Sequence, residues 1–261
     1  MAAPVGHPDR HRADQRSRTG KPRCCAAMIS VIIPVHNEAG RLEELIGGLR
    51  AETTAHEIIV VDGASQDGSA DLARSLGATV LASGGGRGGQ LAAGASQASG
   101  DVILFLHADT GFPQDGLALI EAKLADGKFG GGNFAIRFEG TRLFIRVLNR
   151  FYAWFRRYGL YYGDSAIFVR REVLDAIGGI RPLALMEDYD LSRRLEKAGA
   201  TVCIQEKPVF TSSRRFEGRS AIAIVWEWLY IHALYHLGVA PERLARIYDS
   251  SRETSMKQEL R

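Results

Sequence analysis

The chain has 261 residues, 46% of them hydrophobic and 24% charged, with a formal net charge of +3. This is ordinary globular material, enough for one large α/β domain with its own core and without sign of a second. The charge is uneven: residues 1–27 carry six basic side chains (Arg10, Arg12, Arg16, Arg18, Lys21, Arg23) against Asp9 and Asp14, so this tail holds +4 and the remainder −1, which leaves the body without a nucleic-acid footprint.

The tail is small, polar and basic with almost no apolar periodicity, the composition of a disordered segment. It lacks the apolar centre of a secretory signal, and Met28 stands directly before the first strand as an alternative start; an Arg-rich tail also suits targeting or a membrane surface. Cys24, Cys25 and Cys203 offer neither a disulfide framework nor metal spacing, and Cys203 reads as a small core residue. A reducing, cytoplasmic compartment fits them.

Ile29 to Val35 is a β-branched run, and Leu42, Leu45, Ile46 and Leu49 follow at helical spacing. The residues from Glu57 to Asp62 form a second buried strand, followed by a helix to about Leu76. Thr79-Val80-Leu81 is a third, with a helix from about Gly88 to Ala98. Val102 to Leu106 is the fourth. Strands alternating with helices of about ten residues predict βαβ units and a doubly wound, mostly parallel sheet. After Gly127 come strands at Phe129–Phe138 and Ser165–Val169, helices at Arg142–Tyr158, Arg171–Ile177 and Glu187–Lys197, a strand near Thr201–Ile204 and two closing helices.

Polar motifs stand where these strands end, the edge at which open α/β sheets bind ligands. At the first, Pro34-Val35-His36-Asn37-Glu38 suits either a base or ribose contact or a turn with Asn37 as helix cap. At the second, Asp62 can accept from a base N–H, while Asp67 reads as a cap. Gly84-Gly85-Gly86-Arg87-Gly88-Gly89 satisfies G-x-G-x-x-G but lies in the third βα unit, whereas a dinucleotide fingerprint belongs in the first; it reads better as a mobile loop carrying Arg87 toward a phosphate. His107-Ala108-Asp109 ends the fourth strand, with Asp109 either a metal or sugar ligand or, with Thr110, the cap of the next helix. Glu187 and Asp188 open a helix, as the dipole favours and as a general base requires. Arg214, Arg215 and Arg219 lie in a loop suited to clamping a diphosphate or to plain solvation.

In this order the motifs resemble glycosyltransferase family 2, over about residues 29–217, and within it a bacterial subfamily whose metal motif reads His-Ala-Asp and which is associated with radical-enzyme and selenium-type gene neighbourhoods. The resemblance implies a GT-A fold and an inverting transfer from a nucleotide-diphosphate sugar. It implies that Pro34, Asn37, Glu38, Asp62, Arg87, His107, Arg214 and Arg215 hold the donor, that Asp109 binds Mg²⁺ or Mn²⁺, and that Asp188 is the base with Glu187 beside it. His107 stands where the family's first Asp contacts ribose, and Arg215-Phe216 replaces a more usual Arg-Trp.

The expected organisation is a tail over 1–27, a GT-A domain over 28–217 and C-terminal helices over 218–261. Asp164 and Trp154 are candidates for sugar or acceptor contact. Arg142, Arg146, Arg150 and Arg157 against Leu143, Val147, Phe151, Trp154 and Tyr158 suit a helix at a lipid surface, or a core helix with a solvated basic side. Glu227, His232 and His236 argue against a membrane span over Ala221–Val239, which reads as interfacial or oligomer-packing. The expected partners are a nucleotide-sugar donor and an unidentified lipid or isoprenoid hydroxyl acceptor, with the inner membrane face and a second copy as candidates and nucleic acid excluded. A catalytically silent binding module and a dehydrogenase using the Gly84–Gly89 run are the rival readings.

Overall fold

The computed structural model describes residues 27–140, 143–211 and 220–248. The four predicted parallel strands form as β1 (Ile29–Val35), β2 (His56–Asp62), β3 (Thr79–Ala82) and β4 (Val102–Phe105). They are followed by β5 (Thr110–Gly111), β6 (Gly131–Phe138), β7 (Ile167–Arg170) and β8 (Thr201–Thr211). One eight-stranded sheet results, in the order β3-β2-β1-β4-β7-β6-β8-β5. β1, β2, β3 and β4 are mutually parallel, whereas β7 runs antiparallel to both β4 and β6. The two-residue β5 pairs antiparallel with the end of β8, Thr110 opposite Thr211.

Alternation along the strands explains the layers. Ile29, Val31, Ile33 and Val35 point to one face, where they meet Leu42, Ile46 and Leu49 of α1 (Ala39–Arg50) and Leu117 and Ile120 of α4 (Gly116–Leu124). Ile32, Ile59, Val61, Ile103 and Phe105 point to the other and pack on Leu91 of α3 (Gly86–Gln97) and Leu191 and Leu195 of α7 (Glu187–Ala198). Each fully buried side chain of this size contributes roughly 1.5–3 kcal/mol, so both faces of the sheet are driven to be covered. The smaller helices α2 (Ser69–Ser75) and α6 (Arg171–Ala176) complete the two outer layers.

Because β2 and β3 lie on one side of β1 and β4 on the other, the strand order reverses between β1 and β4, where a crevice opens. Pro34 helps to open it. The β1–β4 ladder stops at Ile32 opposite Phe105, two residues before the proline, which has no N–H to continue it, while β1–β2 pairing runs on to Val35 opposite Asp62. Two further helices stand over the crevice: α5 (Leu143–Arg156), and α8 (Ala221–His236) near the chain's end, with a further helical turn over 241–248. They meet through Ile145, Leu148 and Tyr152 against Ile224 and Trp228.

Several local expectations are corrected. The helix after β4 begins only at Gly116, capped by Asp115 in the left-handed region, so neither Asp109 nor Thr110 is its cap; Thr110 is a strand residue instead. Asn37 is not the cap of α1, whose N-cap is Glu38; Asn37 is left-handed (φ 58°) and its Oδ1 accepts from the Gln66 N–H at 2.8 Å. Asp67 serves two helices at once, its carboxylate accepting from the N–H of Ala39 at 2.9 Å and of Ser69 at 3.0 Å. Cys203 is half-buried on β8, and burial pushes its thiol pKa up. The strand carrying it is far longer than its apolar run, because β6 pairs with it along its length.

Candidate active site

A cleft of about 810 Å³ opens at the carboxyl ends of β1 and β4, between α3, α7, α5 and α8. Pro34, His36 and Glu38 line it from the end of β1, His107 and Asp109 from the end of β4, Arg87 from α3 and Asp188 from α7. Residues widely separated in sequence therefore converge in one place.

Asp62 lies beneath Gly63 and is buried. Its Oδ2 accepts from the Ser65 N–H at 3.2 Å, while Oδ1 has no partner among the described residues. An orphaned buried carboxylate oxygen is costly. Gln90 was not anticipated from sequence. It is buried, and its Nε2 donates to the carbonyls of Val35 and Val61, both at 2.8 Å, tying together the ends of β1 and β2. Its one sequence signal is a long polar residue facing inward within a helix of glycine, alanine and serine.

The glycine run is not a mobile loop. It starts α3, with Arg87 in the first turn. A β-carbon on Gly88 would stand 2.2 Å from the Leu183 carbonyl oxygen, and one on Gly89 would stand 2.6 Å from that of Gly84. These glycines permit close backbone packing. Arg87 Nε pairs with Glu187 Oε1, and its Nη2 lies 3.9 Å from Asp188 Oδ2. Burial alone would weaken its hold on the proton, but Glu187 and Asp188 outweigh that and keep the guanidinium charged.

Glu187 is 1% exposed and its second oxygen has no partner among the described residues. Asp188 accepts from the Gly163 N–H at 2.8 Å through Oδ2 and from the Tyr189 N–H at 2.7 Å through Oδ1. Each carboxylate oxygen offers about two acceptor directions, so Asp188 is fixed in place with acceptor capacity left over. Its orientation follows from Met186, left-handed at φ 69°, which turns the chain into α7. Of the five described non-glycine residues with positive φ, Asn37, Ala64, Ala166 and Met186 lie on or within two residues of the cleft lining, a strain pattern typical of functional sites.

His107 is buried, its Nδ1 3.2 Å from Asp164 Oδ1 and its Nε2 without a partner among the described residues. Asp164, a weak candidate from sequence, is thus the companion of His107. Gly163 makes this possible: a β-carbon there would stand 2.7 Å from His107 Nε2 and 3.2 Å from Asp188 Oδ2. Asp109 keeps 40% of its side chain exposed, with only a distant pair to Arg41 at 3.9 Å.

The far wall is aromatic. Phe151, Tyr152 and Phe155 of α5 line the cleft, but the structure does not bring Trp154 into it; Trp154 is 49% exposed on the outside of α5. Tyr162 and His232 of α8 meet at 3.0 Å, and His232 Nδ1 stands 2.8 Å from the Trp228 carbonyl. A carbonyl only accepts, so Nδ1 carries the proton and Nε2 accepts from the Tyr162 hydroxyl. Burial holds the His232 pKa below its ordinary value, and burial with the Asp188 charge raises that of Tyr162. Arg214 and Arg215 lie outside the described residues.

Residues 30–182 match the family described as Glycosyl transferase family 2, more than half of the chain. The chain belongs to that family. Residues 147–243 also match Glycosyl transferase family 21. Among curated family relatives, an undecaprenyl-phosphate 4-deoxy-4-formamido-L-arabinose transferase of Aeromonas hydrophila subsp. hydrophila is 27% identical over 199 residues, 70% of this chain and 54% of the relative. A 4,4'-diaponeurosporenoate glycosyltransferase of Staphylococcus haemolyticus is 37% identical over 89 residues, 31% of this chain and 24% of its own length. The chain spans about half or less of these relatives. A solved mannosyltransferase, PcManGT from Pyrobaculum calidifontis in complex with GDP-Man and Mn²⁺, superposes with a TM-score of 0.59 at 19% identity, covering 82% of this chain and 63% of that one. Mannosyl-3-phosphoglycerate synthase from Rubrobacter xylanophilus superposes at 0.54 and 22%, covering 81% and 75%. The fold is that of these GT-A sugar-nucleotide transferases. The dehydrogenase reading of the glycine run falls with it.

A divalent ion fits the glycosyltransferase cleft only with the donor's help. Among the described residues no group of three His, Cys, Asp or Glu side chains could hold an ion. Mg²⁺ is commonly held by one or two carboxylates together with substrate phosphates and water, and Asp109, open to the cleft, supplies such a carboxylate.

Proposed function

We propose that this chain is a metal-dependent inverting glycosyltransferase that moves a sugar from a nucleoside-diphosphate donor to a lipid or isoprenoid acceptor. The observation that carries the reading is the convergence of Asp109, the His107–Asp164 pair and the Arg87–Glu187–Asp188 cluster in the crevice between β1 and β4. Pro34, Asn37, Glu38 and Asp62 take the nucleoside end of the donor, with Asp62 Oδ1 as the unpartnered acceptor. Asp109 holds Mg²⁺ or Mn²⁺, whose chemistry is to neutralise the diphosphate. Arg87 exchanges Glu187 for a phosphate oxygen when donor arrives, and Arg214 and Arg215 add charge to the leaving group.

Asp188 accepts the proton of the acceptor hydroxyl. The acceptor oxygen forms its bond to the anomeric carbon as the bond to the diphosphate oxygen breaks, and the electron pair leaves with the nucleoside diphosphate. The His107–Asp164 pair orients the sugar through Nε2, the unpartnered imidazole atom. The aromatic wall of Phe151, Tyr152 and Phe155 suits an apolar acceptor, as does the relatives' naming for undecaprenyl phosphate.

That naming gives a second reading with a different chemical demand. A phosphate acceptor is already anionic near neutral pH and has no proton for Asp188 to take. Asp188→Asn decides between them: with a hydroxyl acceptor it keeps donor binding and lowers transfer about 10²–10⁴-fold. Retention of transfer on an isoprenoid phosphate rejects the base assignment. Binding of donor with no turnover by the unsubstituted chain on any acceptor leaves the silent binding module.

A further inference from the structure

Two helices over the cleft expose apolar surface that nothing among the described residues covers. On α5, Leu143, Val147, Phe151, Trp154 and Tyr158, the last just past the helix end, are between 39% and 73% exposed. They recur every three or four residues, so they form one stripe. Arg146, Arg150 and Arg157 are exposed as well and form a parallel row beside it, whereas Ile145 and Leu148 are buried on the opposite side. The arginine and apolar rows are adjacent and both face outward, so of the two readings of this helix the core helix with a solvated basic side is corrected.

Helix α8 is plainer still. Ile222, Val225, Trp226, Leu229 and Tyr230 are 40–70% exposed, and Leu237 beyond its end is 79% exposed. No Asp, Glu, Lys or Arg lies on its exposed side; its single acidic residue, Glu227, lines the cleft. Among the described residues no helix is long and apolar enough to cross a membrane. A helix with apolar residues outward and a basic row beside them is built to lie in the plane of a bilayer interface.

We propose that α5 and α8 together dock this protein on an anionic lipid surface, with the cleft mouth held against the bilayer. Charge selects the occupant: the arginine row calls for phosphate head groups, whereas a second copy would set these arginines against an α8 face that offers no acidic partner. Phe151 belongs both to the exposed stripe and to the cleft lining, so the apolar surface runs without interruption into the site. An acceptor with an isoprenoid or acyl chain then slides in from the bilayer without crossing water. That last step rests on the proposed acceptor class; the docking does not.

Co-sedimentation of the full chain with phosphatidylglycerol–phosphatidylcholine vesicles, against phosphatidylcholine alone, tests it. The expected result is binding to the mixed vesicles, weakened about fivefold by each of Arg146→Gln, Arg150→Gln and Arg157→Gln, and by Val147→Asp or Trp226→Asp through loss of the apolar contact. These side chains are exposed and outside the catalytic cluster, so metal-dependent donor hydrolysis in lipid-free buffer stays unchanged and reports separately on the glycosyltransferase reading. Absence of vesicle binding overturns the proposal. So does a lipid-free dimer, seen by light scattering, that Trp226→Asp converts to monomer.

Discussion

The two sides of the cleft are built on opposite principles. On the proposed donor side several polar groups are held by partners from distant parts of the chain: Gln90 by the carbonyls of β1 and β2, Asp188 by Gly163, Glu187 by Arg87. Glycines allow those partners to approach closer than any side chain would permit. On the proposed acceptor side the wall is aromatic, and its outer surface is uncovered among the described residues. The difference suits the proposed tasks. A diphosphate is bound by fixed, directional charges that should not reorganise during reaction; an apolar chain needs area and access, which packing supplies without direction.

The largest expected effect breaks the proposed donor side at its proposed ion site. Asp109→Ala removes a carboxylate that faces the cleft, and among the described residues no three-residue metal cluster stands in reserve. Donor hydrolysis should fall by about 10²-fold or more, while the thermal midpoint without ligand stays near that of the parent, since the side chain is 40% exposed. An unchanged rate with Mn²⁺ would remove Asp109 from the site.

Gly163→Ala sharpens the contrast between fixed and permissive walls. The added methyl meets His107 Nε2 and Asp188 Oδ2, and overpacking of this kind costs about 1–3 kcal/mol. Chemical denaturation should show that loss together with loss of transfer, whereas Gly178→Ala, at a loop glycine with open space around it, leaves transfer intact despite its backbone strain.

The smallest effect concerns the seam between the two sides. Burial holds the His232 pKa below its ordinary 6.5, so the folded chain binds that proton less readily than the unfolded one. The stability contributed by neutral His232 is fully present above pH 6.5 and is lost as the pH falls through the lowered value. His236 and Asp188 also act on it, the first discouraging and the second favouring protonation. The thermal midpoint should fall on acidification, and His232→Gln, which keeps an acceptor for Tyr162, should flatten the fall. An identical pH profile in both proteins would detach His232 from the effect.

The parallel half of the fold was legible because its strands are nearly continuous apolar runs broken by polar residues at their ends. The same breaks drew attention to Asp62, His107 and Asp109, whereas Asp188 was singled out as an acid at a helix start. What stayed hidden is non-local. Arg87 and Glu187 are a hundred residues apart, and nothing in a glycine-rich run distinguishes flexibility from tight packing. Asn37 shows the local version of the problem, since asparagine favours both a helix cap and the left-handed turn it takes here. The α5 periodicity was visible, but which of its three strips would be buried depended on α8, from a separate part of the sequence.

The short strand β5 has a mechanical consequence. Thr110, next to Asp109, is paired with Thr211 at the end of β8. The sheet edge thus acts as a tether point for the backbone beside Asp109, while the Asp109 side chain itself stays 40% exposed.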